Sequence, residues 1–304
     1  MPAIEVEDLF KSYGSVDAVR GVSFAVREGE VFALLGPNGA GKTTTLEILE
    51  GHRRRSGGQV RILGMDPQRG GRGLRERIGI VLQAAGIDAE LSVREVLALY
   101  GRAYPRALPV GELIAMVGLQ DKSRARVKTL SGGQRRRLDL ALALVGDPDL
   151  IFLDEPTTGF DPAARHGAWE LIKSLRRVGR TIILTSHYMD EVQELADRVA
   201  VIADGRIVAE GAPDALSQEP RQTSICFRLP AGTEVAELPA RLRAAAHTRG
   251  ASIELRTDTP TRVLLELCSW AVERRIELAA LQVSGASLEQ VYLQLTGEDA
   301  GVAS

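Results

Sequence analysis

The chain reads as an α/β protein built on a parallel sheet, with its functional groups gathered along one edge of that sheet. Three observations predict this. A short apolar run, Glu30 to Leu35, leads into a glycine-rich turn and then a helical pattern from Thr44 to Leu49. A second run, Leu150 to Leu153, ends in two carboxylates, Asp154 and Glu155. A third, the β-branched segment Thr181 to Ser186, ends in His187. Short continuous apolar runs are the signature of strands buried on both faces. In parallel sheets ligands bind at the carboxyl ends of the strands.

The turn after the first run is Gly36-Pro37-Asn38-Gly39-Ala40-Gly41-Lys42-Thr43, which fits the phosphate-binding pattern G-x-x-x-x-G-K-[ST]. Its glycines allow a tight turn whose N–H groups point at phosphate oxygens, and the following helix adds the positive end of its dipole. Lys42 supplies a point charge for the β- and γ-phosphates. The Thr43 hydroxyl is a hard oxygen ligand for Mg²⁺.

Taken in order, residues 3–35 read as short strands and turns. Tyr13 sits beside a turn glycine; an aromatic there either packs or stacks on an adenine ring. After the first helix, Gln59 to Leu63 and Ile78 to Gln83 read as strands. Gln83, at a strand end, is either a polar terminus or a group that reaches a metal or water. Residues 84–129 change to helical patterns, Val93 to Ala103 and Val110 to Val117, with Ser92 and Glu95 spaced as a capping box. Leu130-Ser131-Gly132-Gly133-Gln134 then opens a helix over Arg135 to Val145, either as an ordinary serine cap or as a second anion site.

Asp154 and Glu155 are adjacent on a strand, so alternation sends their side chains opposite ways. One is then free to orient Mg²⁺ while the other faces an attacking water. Asp161 caps the next helix, with Pro162 at its first position and its end near Arg177. His187, on the same sheet edge, is a ligand candidate. Residues 199–203 and 206–209 form a hairpin around Asp204-Gly205.

Gly211 to Thr223 reads as a linker. Beyond it, strands are expected at 224–229, 251–256, 262–267 and 281–283, and helices at 234–249, 271–280 and 287–295. This β-α-β-β-α-β order matches a split, ferredoxin-like unit. No catalytic constellation lies in it.

Composition sets outer bounds. The 304 residues leave room for two domains, and 44% of them are hydrophobic. Charge is balanced at a net −2, without the basic footprint of a nucleic-acid binder. The basic runs Arg53 to Arg55 and Arg135 to Arg137 read as solvated faces. Cys226 and Cys268 make neither a disulfide framework nor a zinc site and read as reduced, small buried hydrophobes. The N-terminus lacks a signal-peptide pattern, and no apolar run approaches the ~20 residues that span a bilayer. A soluble protein that reaches a membrane only through a partner is expected.

These motifs, in this order and spacing, resemble the nucleotide-binding subunit of an ABC transporter over roughly residues 3–220. The pentapeptide 130–134 is the discriminating element. The tail from Ser287 to Gly297, and Thr185 to Glu191, are similar to ATPase subunits of the ABC-2, multidrug- and antibiotic-export type. The resemblance implies a cassette over residues 1–220 with a RecA-like core, an antiparallel β subdomain and a helical subdomain at about 84–146, followed by an α+β accessory domain at 221–304. It implies ATP and Mg²⁺ as cofactors. Tyr13 would stack on adenine, Gly36 to Thr43 would cradle the phosphates, and Thr44 would touch the α-phosphate. Thr43, Gln83 and Asp154 would place Mg²⁺, with Gln83 also helping to place the water. Glu155 would be the general base and His187 would contact the γ-phosphate. Ser131, Gly132, Gly133 and Gln134 would meet the nucleotide of a second copy, and Asp161 would communicate across that interface. Phe160 stands where the family usually has leucine. The expected partners are a second ATP-binding subunit, in a homodimer, and a separate membrane permease, with no nucleic acid. The expected location is cytoplasmic, on the inner face of the membrane through that permease. Two alternatives compete with this reading: a permease-free ABC ATPase of translation or repair, and a nucleotide-dependent regulator. The single cassette and absence of sustained heptads argue against the first, and the Asp154-Glu155 pair against the second.

Overall fold

The computed structural model describes residues 2–81, 86–216, 223–230, 233–249 and 252–284. It divides into two compact units, Met1–Pro213 and Asp214–Ser304. The expected boundary at 220/221 lies within 217–222, outside the described residues, as do Gln83 and the tail helix expected at 287–295.

Two twelve-residue strands, β1 (Pro2–Tyr13) and β2 (Val16–Arg27), open the first unit as an antiparallel pair. Both are longer than the short strands expected, and β1 keeps its pairing through several register shifts. Next come β3 (Val31–Leu35), α1 (Lys42–Leu49), β4 (Gly57–Ile62), α2 (Gly71–Arg75) and β5 (Ile78–Val81). β4 completes a three-stranded antiparallel sheet in the order β2-β1-β4. Three helices follow: α3 (Val93–Gly101), α4 (Val110–Met116) and α5 (Gly132–Leu144). The Ser92–Glu95 capping box at α3 is formed in full.

The chain then returns through β6 (Leu150–Asp154), α6 (Pro162–Arg177), β7 (Thr181–Ser186), α7 (Met189–Leu195), β8 (Arg198–Ala203) and β9 (Arg206–Gly211). The short helices α2 and α7 have no counterpart among the sequence expectations. A six-stranded sheet has the order β5-β6-β7-β3-β8-β9, parallel except for β9 at its edge. β3 lies inside it, and all five of its residues are buried, as a strand covered on both faces requires. The β8–β9 turn has positive φ at both Asp204 and Gly205, the conformation an Asp-Gly hairpin needs. This topology sets the ends of β3, β6 and β7 side by side, each preceding a loop that carries chemistry.

After α8 (Pro213–Leu216), the second unit contains β10 (Thr223–Arg228), α9 (Ala240–Ala244), β11 (Ala246–Arg249), β12 (Ser252–Thr257), α10 (Pro260–Glu273) and β13 (Ala279–Ser284). Its antiparallel sheet has the order β11-β12-β10-β13. Each βαβ arm is therefore split by a strand of the other, the ferredoxin-like arrangement. Its core holds Ile225, Phe227, Ile253, Leu255, Leu267 and Trp270.

Element boundaries here differ from expectation. The helix expected at 234–249 is cut to α9, because Ala246–Arg249 pairs with β12 and pairing overrides the helix propensity of alanine. The strand expected at 262–267 is part of helix α10. Val263, Leu267, Trp270 and Ala271 are its buried face, a 3.6-residue spacing, and Pro260 stands at its first turn. The helix expected at 271–280 is instead the end of α10, the loop after it and the first two residues of β13. The cysteines are not buried: Cys226 is half-buried and Cys268 exposed. Cys268 follows Leu267 on a helix, which turns it away from the core.

Candidate functional site

The phosphate loop runs from the end of β3 into α1. A β-carbon on Gly36 would stand 2.3 Å from the carbonyl oxygen of Ile202. One on Gly41, the N-cap of α1 at φ 100°, would stand 2.4 Å from that of Ala18. Only glycine fits either position. Lys42 is 4% exposed, and its Nζ donates to the carbonyls of Gly36 (2.6 Å) and Pro37 (3.0 Å). Burial pulls its ammonium below the usual lysine range, against the attraction of Glu155 and Asp154. The cation is thus held inside the loop, near enough to the two carboxylates to be influenced by their charge. Thr43 is exposed and Thr44 half-buried on the first turn of α1.

Asp154 is the last residue of β6. Its Oδ1 accepts from Thr185 Oγ1 on β7 at 2.6 Å and from Thr43 Oγ1 at 3.4 Å. Glu155 leaves the strand with φ 46°. Its N–H donates to the same Thr185 hydroxyl at 3.0 Å, and its Oε2 accepts from Thr158 Oγ1 at 3.2 Å. Its Oε1 lies 3.3 Å from His187 Nδ1, within ion-pair range but without hydrogen-bond alignment. The two acids do diverge, but the cause is not strand alternation. Glu155 enters the left-handed region, which costs a non-glycine residue about 1–3 kcal/mol and persists only where its surroundings enforce it. Thr185 is such an enforcer. Its hydroxyl bridges the two acidic residues, and only the β6–β7 register, Asp154 opposite Thr185, reveals it.

α5 begins at Gly132 with Ser131 as N-cap. Ser131 Oγ accepts from the Gln134 N–H, and the Gln134 side chain accepts from the Ser131 N–H. The Gln134 side chain is thus engaged in the cap. Arg136, expected on a solvated face, is half-buried instead. Its guanidinium donates to the carbonyls of Asp154 (3.3 Å) and Pro156 (3.4 Å). Burial lowers its pKa against the pull of Asp139 and Asp154. A cavity of about 680 Å³ is lined by Gly132, Gly133, Asp154, Glu155, Phe160 and Asp161, among others, and by no residue of 36–43. Asp161 caps α6, accepting from the Ala164 N–H at 2.8 Å.

Tyr13 is exposed at the end of β1, with Lys11 Nζ 4.8 Å and the Arg53 guanidinium 5.2 Å from its ring centre. The described contacts thus join Lys42, Thr43, Asp154, Glu155 and His187 into one edge. They place Ser131, Gly132, Gly133 and Gln134 on the opening turn of α5 and leave Tyr13 among its own cationic neighbours.

Known proteins are similar to this chain in sequence and in fold. A family model described as ABC transporter matches residues 19–158, and one described as the C-terminal domain of ABC transporter domain-containing protein-like chains matches residues 223–287. Over 98% of its length the chain is 41% identical to the Nod factor export ATP-binding protein I of Paraburkholderia xenovorans (strain LB400), covering 98% of that protein. The chain belongs to the ABC transporter family. A second relative of this ABC protein is the daunorubicin/doxorubicin resistance ATP-binding protein of Streptomyces peucetius, 38% identical over 98% of this chain and 93% of that one. Among solved structures it is similar to a dimeric ATP-binding cassette in a post-hydrolysis state bound to ADP and Pi. That likeness has a TM-score of 0.62 at 25% identity, over 69% of this chain and 98% of that chain. The protein is an ABC-type ATP-binding subunit and an ATP hydrolase. Among the described residues, no helix is long and apolar enough to cross a membrane.

Proposed function

We propose that this ABC subunit hydrolyses ATP, as one half of a head-to-tail homodimer, to drive export through a separate membrane permease. The observation that carries the reading is the convergence of Lys42, Thr43, Asp154, Glu155 and His187 on one sheet edge. Residues 36–44 bind the phosphates, with Lys42 neutralising them, and Tyr13 stacks on the base. Thr43 and Asp154 are hard oxygen donors 3.4 Å apart, a set suited to a cation that keeps most of its waters and takes one or two carboxylates. Thr43 and Asp154, with Gln83, would hold Mg²⁺, which would supply positive charge to offset that of the phosphates. Glu155 takes the proton of the attacking water, which Gln83 helps to place, and His187 contacts the γ-phosphate. Ser131, Gly132, Gly133 and Gln134 face a nucleotide held by the second copy. Asp161 links the two sites.

The relatives' printed roles, Nod factor export and daunorubicin/doxorubicin resistance, support a drug, antibiotic or lipid-like cargo. The subunit then works on the cytoplasmic face of the membrane, held there by its permease, and uses no nucleic acid. Glu155→Gln tests the core of the reading. The amide keeps the shape but accepts no proton, so ATP binding persists, turnover is lost, and light scattering shows an ATP-dependent shift from monomer to dimer. Turnover at the wild-type rate would remove Glu155 as the base. A variant that stays monomeric in saturating ATP would count against the sandwich.

A further inference from the structure

Glu191, in the first turn of α7, is 1% exposed. Its Oε1 accepts from Thr157 Oγ1 at 2.8 Å and from Trp169 Nε1 at 3.3 Å, and its Oε2 accepts from Ser186 Oγ at 2.7 Å. The partners are well chosen. Thr157 is 0% exposed and stands two residues after Glu155; Ser186 is 1% exposed and directly precedes His187. Ser186 Oγ also accepts the Tyr188 N–H at 3.0 Å, closing the bend around His187. Trp169 belongs to α6, the helix that follows the Glu155 loop. One buried carboxylate therefore ties together the two loops that bring Glu155 Oε1 to within 3.3 Å of His187. Burying a carboxylate is costly, and an apolar residue would fill the same space without that cost. Burial and the neighbouring Asp190 push the Glu191 carboxyl upwards, while its three donors pull the other way.

We propose that Glu191 is a positioning residue for ATP hydrolysis, holding the Glu155 and His187 loops at their working separation through its hydrogen bonds to Thr157 and Ser186. The inference rests on the roles assigned above to Glu155 and His187. A glutamine can reproduce the network. Its carbonyl accepts from Thr157 and Trp169, its amide donates to Ser186 Oγ, and the Ser186 hydroxyl turns to the Tyr188 carbonyl 3.3 Å away. Alanine removes all three acceptor contacts.

The test compares steady-state ATP hydrolysis and equilibrium ATP binding in full-length Glu191→Ala, Glu191→Gln and Glu155→Gln proteins. Glu191→Ala is expected to lower kcat by about 10- to 100-fold, the usual effect of a small misplacement of reacting groups. Its KM and ATP affinity should stay within about threefold of wild type. Glu191→Gln should recover most of the lost kcat. A folded Glu191→Ala protein with wild-type kcat, one that loses ATP affinity in step with kcat, or a Glu191→Gln protein as slow as Glu191→Ala would each overturn the proposal. If Glu191→Ala does not fold, the Thr157→Val, Ser186→Ala double variant removes two donors at nearly constant volume. It should show the same split, and an unchanged kcat there overturns the proposal equally. Wild-type turnover in Glu155→Gln would instead defeat the assignment of the base, and this inference with it.

Discussion

In the roles proposed above, Lys42 and Glu155 divide the chemistry into a binding part and a reacting part. Lys42 is buried, and its Nζ is held by the loop carbonyls of Gly36 and Pro37. Lys42→Ala should therefore weaken ATP binding by about 10- to 100-fold, the worth of one charged hydrogen-bonding group, as measured by nucleotide fluorescence titration. A second residue couples to pH. Glu50, at the end of α1, has a 7% exposed side chain whose Oε2 lies 3.1 Å from His52 Nδ1. Burial first, then Asp154 and Glu47, push its carboxyl from the usual 4.5 up to about 8. The folded chain thus keeps a proton that the unfolded chain releases. The associated stability is complete below pH 4.5 and is lost as pH rises through about 8. Glu50→Gln carries no such proton. By differential scanning calorimetry its melting temperature should exceed that of wild type by about 5 °C at pH 8, with the gap closing towards pH 5.

Helix ends carry the site at the next scale. Ser131 and Asp161 are both N-caps, of α5 and α6, and both border or adjoin the cavity that holds Asp154 and Glu155. A residue that caps a helix need have no other task. Asp161→Ala should cost about 1 kcal/mol in urea denaturation, while Asp161→Asn, which keeps an acceptor for the Ala164 N–H, should cost little. That leaves Asp161→Asn as the variant in which turnover reports on the proposed communication between subunits rather than on the cap. α10 shows how an element is misread. The segment 262–267 has enough branched and apolar residues to look like a strand. Only the continuation to Trp270 and Ala271 exposes the helical period.

At the scale of the whole molecule, the phosphate loop, the acidic strand end, His187 and the α5 cap all lie within Met1–Pro213. The unit at Asp214–Ser304 has its own antiparallel sheet and its own core around Phe227 and Trp270. We propose that it is an accessory module that regulates activity or steadies the dimer. A truncated chain ending at Glu219 should therefore still bind ATP with wild-type affinity by titration calorimetry, with an altered dimer lifetime. A truncated chain that folds but cannot bind ATP would place the second unit in the nucleotide site.

The sequence by itself determined the phosphate loop, the acidic strand end, the capping box at Ser92, the serine cap at Ser131 and the Asp204-Gly205 hairpin. Each is written in a few consecutive residues whose chemistry is local: a glycine that must turn, a hydroxyl that must cap, an apolar run that must be buried. Tertiary structure alone decided what depends on register between distant strands. The pairing of Asp154 with Thr185 lets one hydroxyl bridge the two acidic residues, and the left-handed turn at Glu155, not alternation, aims its carboxylate at His187. Arg136 reads as a surface charge in the sequence, and nothing in the sequence marks Glu191 as buried. They are drawn inward because their partners, the Asp154 and Pro156 carbonyls and the hydroxyls of Thr157 and Ser186, come from segments 18 to 34 residues or 5 residues away that only the folded sheet brings to one edge. Burial and hydrogen bonding of a charge are properties of that edge, and no periodicity along the chain encodes them.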